Sequence, residues 1–230
     1  MNTAIILAGG SGSRMKSDVP KQYMQLGGRP LLFYSIDTFE RCSLIDQIII
    51  VVAEEYIDFC REEIVEKYGF KKVTHIVTGG KERYDSVYSG LKNVTQETEC
   101  VLIHDGARAC ISTEVIERCI KCAIECEACV AAVPVKDTIK VADKNDFAIN
   151  TPDRNTLWQI QTPQVFATHI IKTAYDAMSR DRNRGTITDD AMVVERYTDC
   201  KVKLVMGDYC NIKVTTPEDI DIASLFLGLK

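Results

Sequence analysis

The sequence has no long uninterrupted apolar stretch. None of its apolar runs approaches the roughly 18 residues that a membrane-spanning helix needs. The first residues lead directly into a short apolar run, without the pattern of a signal or transit peptide. Internal repeats and low-complexity tracts are also absent. We therefore expect a globular protein without a membrane span, located in the cytoplasm.

Histidine is scarce, and acidic residues outnumber basic ones. The 230 residues include three His, and 28 Lys and Arg stand against 33 Asp and Glu, which gives a net charge of −5. This balance argues against a nucleic acid or an anionic membrane as the main partner, although a local cationic pocket can still bind an anionic small molecule. The pair His104-Asp105 is typical of metal-dependent phosphohydrolases, but only His75 and His169 remain as further ligands. We therefore reject that class.

Cysteine, in contrast, is abundant, with ten residues. In a cytosolic α/β protein these cysteines are not expected to form disulfides. Four of them, Cys119, Cys122, Cys126 and Cys129, follow the spacing C-x2-C-x3-C-x2-C, which permits two interpretations. One is a metal cluster, although the spacing matches neither zinc ribbons nor ferredoxins. The other, which we favour, is one face of a helix that buries small apolar thiols.

Short apolar runs alternate with amphipathic segments along most of the chain. The runs 4–8 and 48–53 have no polar alternation, which is typical of buried parallel strands. The order predicts a single α/β domain over residues 1–230, with a Rossmann-like, mostly parallel sheet and helices on both faces. Further strands are predicted at 72–77, 101–103, 129–133 and 202–205, and helices at 30–41, 55–68, 84–93, 113–127, 167–179 and 189–197. Thr188 is the predicted N-cap of the helix at 189–197, and Thr216 caps a closing helix.

The regular alternation stops between residues 135 and 155. Two short extended runs flank the polar turn Lys144-Asn145, which predicts a β-hairpin. A polar hairpin of this length has no surface in its own domain to pack against. We therefore predict that residues 136–156 form a protruding β-arm that contacts the second subunit of a homodimer.

The most informative stretch is residues 4–26. Its apolar strand leads into the loop Gly9-Gly10-Ser11-Gly12, and two cations, Arg14 and Lys21, follow. Glycine lets backbone N–H groups approach a ligand closely, and fixed cations neutralise charge, so the stretch predicts a polyphosphate site. It is not a P-loop, because no Lys-Ser/Thr pair follows the second Gly. It is not a dinucleotide fingerprint either, because Met15 occupies the third Gly position and no acidic residue ends a second strand nearby.

Two further loops follow predicted strands. Gly79-Gly80 precedes a helix and is either a tight turn or part of the same pocket. Asp105 and Arg108 follow the strand 101–103, where they either bind hydroxyl groups or a metal–phosphate complex or form a local ion pair. Because ligands of open parallel sheets bind at the carboxyl ends of the strands, we expect these loops to share one pocket with the first.

These motifs resemble those of sugar-phosphate cytidylyltransferases, above all the 2-C-methyl-D-erythritol 4-phosphate cytidylyltransferase family. Residues 7–15 followed by Pro20-Lys21-Gln22-Tyr23 are similar to the opening motif of that family, and seven later motifs follow in the same order up to residues 211–215. Two positions depart from the pattern. Gly9 stands where this family usually has Ala and the related D-ribitol-5-phosphate enzymes often have Gly, and Ala109 stands where it mostly has Pro. The ribitol phosphate is therefore the alternative acceptor.

The resemblance implies that the acceptor phosphate attacks the α-phosphorus of CTP in line, in non-mevalonate isoprenoid synthesis. It implies a cofactor, Mg²⁺ or another divalent cation, held mainly by the CTP phosphates, with Asp105 as a possible ligand. It also implies that Thr138 and Arg154, on the arm, reach the active site of the other subunit of the homodimer. The implied catalytic residues are Arg14, Lys21, Arg154 and Lys213; those for CTP are Ala8, Gly9, Gly10, Gly12, Gly80, Arg83, Ser86, Asp105 and Gly106; those for the acceptor are Asp105, Arg108, Thr138, Arg154, Thr162, Thr188 and Lys213.

Two other classes of protein fit only part of the sequence. A nicotinamide-dependent dehydrogenase needs the missing third Gly and the ribose-binding acid. A non-catalytic nucleotide-binding regulator would keep the glycine loops but has no need of Lys21, Arg154 and Lys213 together. Their joint presence favours an enzyme.

Overall fold

The computed structural model describes residues 1–10 and 19–229 of the chain. Its strands are β1 (Asn2–Ala8), β2 (Gln25–Leu26), β3 (Arg29–Pro30), β4 (Gln47–Val52), β5 (Val73–Thr78), β6 (Cys100–Asp105), β7 (Ala128–Pro134), β8 (Val141–Ala142), β9 (Ala148–Asn150), β10 (Trp158–Ala167) and β11 (Lys203–Met206). Its helices are α1 (Leu31–Arg41), α2 (Ile57–Phe59, continued as a π-helix over Cys60–Glu66), α3 (Arg83–Leu91), α4 (Thr113–Cys126), α5 (Thr168–Arg180), α6 (Asp190–Tyr197) and α7 (Pro217–Phe226). None of these helices is both long and apolar enough to cross a membrane.

A seven-stranded sheet organises the described residues. Its strand order is β11-β7-β10-β6-β1-β4-β5, and neighbouring strands are parallel except where β10 pairs with β6 and β7. The predicted mostly parallel α/β fold with helices on both faces is therefore confirmed. The strand β10 was not predicted, and it is the antiparallel member of the sheet.

The core lies on both faces of the sheet because the central strands are apolar on both sides. Along β1, Ile5 packs into one layer, whereas Ala4 and Ile6 pack into the other, as the two-residue period of a strand requires. Helices α1 and α4 cover one face, and α3, α5 and α6 cover the other. The ends of β1 and β6 are thus held by a well-packed scaffold.

The N-caps of the last two helices gave opposite outcomes. Helix α7 begins as predicted, with a capping box between Thr216 and Asp219 and a Pro in its first turn. Helix α6 is capped by Asp189, whose carboxylate accepts a hydrogen bond from the N–H of Met192 at 3.0 Å. The prediction of Thr188 as the cap was therefore wrong by one residue. A carboxylate at this position also interacts favourably with the positive end of the helix dipole.

The segment after β7 forms the predicted hairpin. Strands β8 and β9 pair in antiparallel fashion, and the N–H groups of Asn145 and Phe147 donate to the Asp143 carboxylate in the turn. The hairpin is less polar than the sequence pattern indicated, because it exposes Phe147 and Ile149. At its base, Arg154 donates to the carbonyl of Lys136 at 3.0 Å.

The four-cysteine motif is divided between a helix and a strand. Cys119, Cys122 and Cys126 lie on α4, but Cys129 lies on β7, so the interpretation of all four as one helical face was wrong. The Cys129 thiol donates to the carbonyl of Cys119 at 3.1 Å, which links the strand to the helix. All ten cysteines are free, and residues 1–10 and 19–229 contain no group of side chains suited to holding a metal ion.

Candidate active site

The carboxyl ends of β1 and β6 border a cavity of about 210 Å³, which we call the first cavity. This is the edge of a parallel sheet where ligands bind in this class of fold. Both glycine loops contribute to it, and Lys21 and Lys213 bring positive charge. Of the residues predicted to bind the nucleotide, the following line the first cavity: Ala8, Gly9, Gly10, Gly80, Arg83, Ser86 and Asp105.

The side chain of Gln22, which was not among the predicted site residues, holds the first glycine loop in place. The buried amide of Gln22 donates to the carbonyl of Ala8 at 2.6 Å and to that of Gly10 at 3.1 Å. The neighbouring Lys21 donates to the carbonyl of Val214 at 2.8 Å, which brings its ammonium group to the cavity wall. The sequence does carry a signal for Gln22, because this residue follows Lys21 in the motif Pro20-Lys21-Gln22-Tyr23. Gly12 and Arg14 lie outside the described residues.

Glycine is not sterically required at position 9, where the resembled family usually has Ala. A Cβ added to Gly9 would lie 3.5 Å from its nearest neighbour, the backbone carbon of Val52, which is an ordinary van der Waals distance. Alanine would therefore fit in the same loop. Gly9 consequently carries no structural argument for the ribitol-phosphate alternative.

The second glycine loop is a tight turn that also borders the cavity. A Cβ on Gly80 would lie 2.3 Å from the Cβ of Asp85, so only glycine fits there. The N–H of Gly80 donates to the Ser86 hydroxyl at 3.1 Å. Glu82 and Asp85 form a capping box that starts α3. The two interpretations of Gly79-Gly80 are thus compatible, because the turn is tight and lines the pocket.

Asp105, at the end of β6, is the electrostatic centre of the site. One of its oxygens accepts from Arg83 Nε at 3.2 Å and the other from Lys213 Nζ at 2.7 Å. Burial alone would raise the pKa of Asp105, but Arg83 and Lys213 hold that pKa well below its usual range. Arg108 instead donates to the carbonyl of Asn211 at 2.7 Å. The alternative of a local Asp105–Arg108 ion pair was therefore wrong.

His104 is a buried neutral side chain. Its Nδ1 lies 3.0 Å from the hydroxyl of Thr162, and that hydroxyl accepts a hydrogen bond from the N–H of Asp105 at 3.1 Å. Burial lowers the pKa of His104 to about 3. Thr162 and His104 therefore fix the end of β6, and His104 is not poised to exchange protons near neutral pH.

A second cavity of about 280 Å³ adjoins the first. Arg83, Asp105 and Lys213 line both cavities and so form a shared wall. Arg108 is largely buried beside the second cavity, and its Nε has no hydrogen-bond partner in the described structure. Of the residues predicted to bind the acceptor, Asp105, Arg108, Thr162, Thr188 and Lys213 line the second cavity.

Three predicted site residues lie elsewhere. Thr138 and Arg154 are exposed on the arm and line neither cavity of their own chain. Gly106 packs behind the site, where its N–H donates to the carbonyl of Leu7 at 2.9 Å. A Cβ on Gly106 would lie 2.7 Å from a methyl group of Leu32. The requirement for glycine at this position therefore comes from packing against β1 and α1.

Two adjoining cationic cavities at the carboxyl ends of parallel strands, one bordered by two glycine loops, suit the transfer of a nucleotidyl group between phosphates. The site offers fixed cations and hydrogen-bond donors, and its buried histidine is neutral. These features define a nucleotidyltransferase with a Rossmann-like sheet.

Comparisons with known proteins specify the family. Residues 2–228 match the family model described as IspD, 2-C-methyl-D-erythritol 4-phosphate cytidylyltransferase. The enzyme of that name from Lachnospira eligens is 57% identical over 227 residues, which cover 99% of each chain. That from Lachnoclostridium phytofermentans is 47% identical, with 98% of this chain and 95% of the relative covered. The crystal structure of 4-diphosphocytidyl-2C-methyl-D-erythritol synthase from Anaerococcus prevotii has a TM-score of 0.87 at 36% identity and covers 99% of this chain and 96% of that chain. The chain belongs to the IspD family and is a cytidylyltransferase.

Proposed function

We propose that the protein transfers CMP from CTP to 2-C-methyl-D-erythritol 4-phosphate, giving 4-diphosphocytidyl-2-C-methyl-D-erythritol and pyrophosphate in non-mevalonate isoprenoid synthesis. The observation that carries this proposal is the wall shared by the two cavities. Because Asp105 and Lys213 line both, a nucleotide in one cavity and a phosphate in the other lie next to each other. The names of the relatives support the choice of both substrates.

CTP occupies the first cavity in this proposal. Its triphosphate lies along Gly9, Gly10 and Lys21, where backbone N–H groups and an ammonium group can neutralise the phosphate oxygens. Gly80, which precedes α3, and Ser86, in the first turn of α3, border the nucleoside part. Arg14, an implied catalytic residue, supplies a second cation that neutralises the triphosphate.

The sugar phosphate occupies the second cavity. Its phosphate dianion pairs with Arg108 and Lys213, and the unpartnered Nε of Arg108 is a donor without an acceptor. The ionised Asp105 accepts a hydrogen bond from a hydroxyl group of the acceptor, as the low pKa of this carboxyl permits. Burial of Arg108 strengthens its interaction with an anion, because fewer water molecules compete.

The reaction needs no general base. A phosphate oxygen of the acceptor forms a bond to the α-phosphorus of CTP, the bond from that phosphorus to the bridging oxygen breaks, and pyrophosphate leaves with the electron pair. The nucleophile is already ionised at neutral pH, which agrees with the neutral, buried His104. The barrier lies in bringing anions together, so positioning and electrostatic stabilisation dominate. Lys21 and Lys213 supply that stabilisation, and losing one such donor typically costs about 10²–10³-fold in rate.

Mg²⁺ enters this proposal as part of the substrate, MgCTP. Asp105, the possible ligand named above, lines the first cavity, and its two oxygens already accept from Arg83 and Lys213. No group of metal-ligating side chains occurs in the described parts of the chain. The residues therefore do not fit a resident metal site, whereas Mg²⁺ is commonly carried by phosphates and water.

We also propose a cytoplasmic homodimer built through the arm, residues 136–156. Phe147 and Ile149 are 72% and 65% exposed in the single chain, and an apolar surface of this kind gains stability when a partner covers it. Thr138 and Arg154 then reach the second cavity of the other subunit. Ten free cysteines suit a reducing compartment such as the cytoplasm.

Subunit mixing tests this dimer. Lys21→Ala and Arg154→Ala homodimers should each be almost inactive. A heterodimer has one intact site, which combines Lys21 of one subunit with Arg154 of its partner. Random exchange makes about half of the dimers heterodimers, so about a quarter of the wild-type activity should return. If no activity returns although exchange is verified by mass, the arm does not complete the other site.

The function is tested by pyrophosphate release with CTP, Mg²⁺ and either 2-C-methyl-D-erythritol 4-phosphate or D-ribitol 5-phosphate. We expect turnover with the first acceptor alone. Turnover with the second alone would keep the chemistry but reassign the acceptor. Turnover with neither, while CTP and Mg²⁺ still raise the melting temperature and NAD does not, would contradict the proposed acceptor.

A further inference from the structure

A buried carboxylate behind the site has no role in the assignments above. Asp190, in the first turn of α6, has no exposed surface. Its two oxygens accept from Arg83, with distances of 2.9 Å to Nη1 and 2.8 Å to Nη2. The hydroxyl of Tyr175 donates to the same carboxylate at 2.6 Å. A bidentate ion pair between a guanidinium and a carboxylate fixes both the position and the orientation of the guanidinium plane.

Arg83 passes this constraint on to the wall shared by the two cavities. Its remaining edge, Nε, donates to one oxygen of Asp105 at 3.2 Å, and Lys213 donates to the other at 2.7 Å. Negative and positive groups therefore alternate in the order Asp190, Arg83, Asp105, Lys213. The charge of Arg83 is balanced by two carboxylates of the protein, so it is poorly placed to neutralise a triphosphate.

The start of α6 is itself locked to the sheet. The N–H groups of Asp190 and Ala191 donate to Gln164 Oε1 at 3.0 and 2.9 Å. The amide nitrogen of Gln164 donates to Asp189 at 3.1 Å. Because Gln164 belongs to β10, which pairs with both β6 and β7, Asp190 is attached to an interior strand of the sheet.

We propose that Asp190 is a positioning residue for the transfer reaction. It anchors Arg83, and Arg83 in turn orients Asp105 and Lys213 toward the acceptor. This inference rests on the proposed function and revises one role that the resemblance implied, because it assigns Arg83 to the orientation of the acceptor site in place of CTP binding.

A double-mutant cycle on Asp190→Asn and Arg83→Gln tests the proposal, with Tyr175→Phe as the matched control. The control removes a hydrogen bond from the same buried cluster but keeps the ion pair. Each single variant should lower kcat/KM for the acceptor by about 10²-fold, because small misplacements of positioning groups have effects of that size. The KM for CTP should change by less than about threefold in each single variant. In the Tyr175→Phe control, both the kcat/KM for the acceptor and the KM for CTP should change by less than about threefold. The double variant should lose no more than the worse single variant, since both changes act through one contact.

Two outcomes of the kinetics would overturn the proposal. One is an additive loss in the double variant, and the other is a rise in the KM for CTP without an effect on the acceptor. A merely structural role would reduce the number of active sites, counted by CTP binding in calorimetry, and leave both KM values unchanged. If Asp190→Asn fails to fold, the double variant replaces it in the same KM comparison, because it leaves no buried charge unpaired.

A crystal structure of Asp190→Asn gives a readout that does not depend on turnover. A guanidinium of Arg83 that has moved away from Asp105 supports the proposal, and one that stays in place refutes it. Wild-type turnover, measured in parallel, tests the proposed function on its own, so failure of the one can be told from failure of the other.

Discussion

Replacing Gln22 by Met should weaken CTP binding without affecting the acceptor. Methionine has nearly the same length and fills the same space, but it offers no hydrogen-bond donor. The change therefore isolates the two bonds that hold the glycine loop, to the carbonyls of Ala8 at 2.6 Å and Gly10 at 3.1 Å.

The size of the effect follows from the burial of these two carbonyl groups. Leaving a buried acceptor unpaired costs about 1–3 kcal/mol. The bond to Ala8 is buried, whereas the bond to Gly10 is partly buried, so water can replace it at a lower cost. We expect about 2–4 kcal/mol in total. Since each 1.4 kcal/mol is a factor of ten, the binding-competent loop becomes at least about tenfold less populated, and the apparent affinity for CTP falls in proportion.

The measurement is the Kd for CTP by calorimetry, together with the KM for each substrate. The exposed Gln25 lies three residues further on, and Gln25→Met provides a control that makes the same chemical change without the buried bonds. We expect a Kd raised at least about tenfold for Gln22→Met and within about twofold for Gln25→Met. An unchanged Kd for Gln22→Met in a folded protein would refute the idea that this amide holds the loop.

Four further predictions test other parts of the site. Lys21→Ala should lower kcat by about 10²–10³-fold and change the KM for the acceptor little, and a near-normal kcat would remove Lys21 from catalysis. Gly9→Ala should keep most activity, because the added Cβ would lie 3.5 Å from its nearest neighbour. Gly80→Ala should lose stability and CTP binding, because its Cβ would lie 2.3 Å from the Cβ of Asp85. Equal effects of the two variants on the melting temperature and on the kinetics would contradict this. Burial lowers the pKa of His104 to about 3, so between that pH and about 6.5 the unfolded state binds one more proton than the folded state. The contribution of His104 to the free energy of unfolding is therefore complete above about pH 6.5, and it is lost as the pH falls, at about 1.4 kcal/mol per pH unit. Urea titrations of wild type and His104→Gln should show that only the wild type has this slope. Chelation of divalent cations should abolish turnover and leave the melting temperature of the nucleotide-free protein unchanged, and a large fall in that temperature would indicate a resident metal.

The parts of the fold that were predictable are those fixed by local chemistry. The apolar run at residues 4–8, the Thr216 cap and the glycine loops each carry their structural signal within a few residues. The carboxyl-end rule for parallel sheets then places the loops in one pocket. This is why most of the residues predicted for the nucleotide and the acceptor do line the two cavities.

The parts that were missed depend on partners that are distant in sequence. Strand β10 contains Gln161 and Gln164, whose polar side chains obscure a strand signal, yet both are buried and satisfied by the segment around residue 208 and by the start of α6. Arg83 and Asp190 are 107 positions apart, and nothing in either local sequence indicates an ion pair. Cys129 continues the cysteine spacing of the helix, but the turn at Glu127, with a φ of 62°, ends the helix first, so Cys129 lies on the strand that was predicted over 129–133 and not on the helical face.

The direction of β10 has a consequence for how this protein can vary. Because β10 runs opposite to β7, the arm leaves and rejoins the sheet at neighbouring points, where the N–H of Val135 donates to the carbonyl of Leu157 at 3.1 Å and Trp158 pairs with Pro134. A parallel strand in that place would force the returning chain to cross the whole sheet. The arm thus lies between two strands, β7 and β10, that already pair with each other at its base. Insertions or deletions within the arm therefore leave the pairing register of β7 and β10 unchanged. The length and sequence of the hairpin can therefore change without altering the sheet that carries the two cavities.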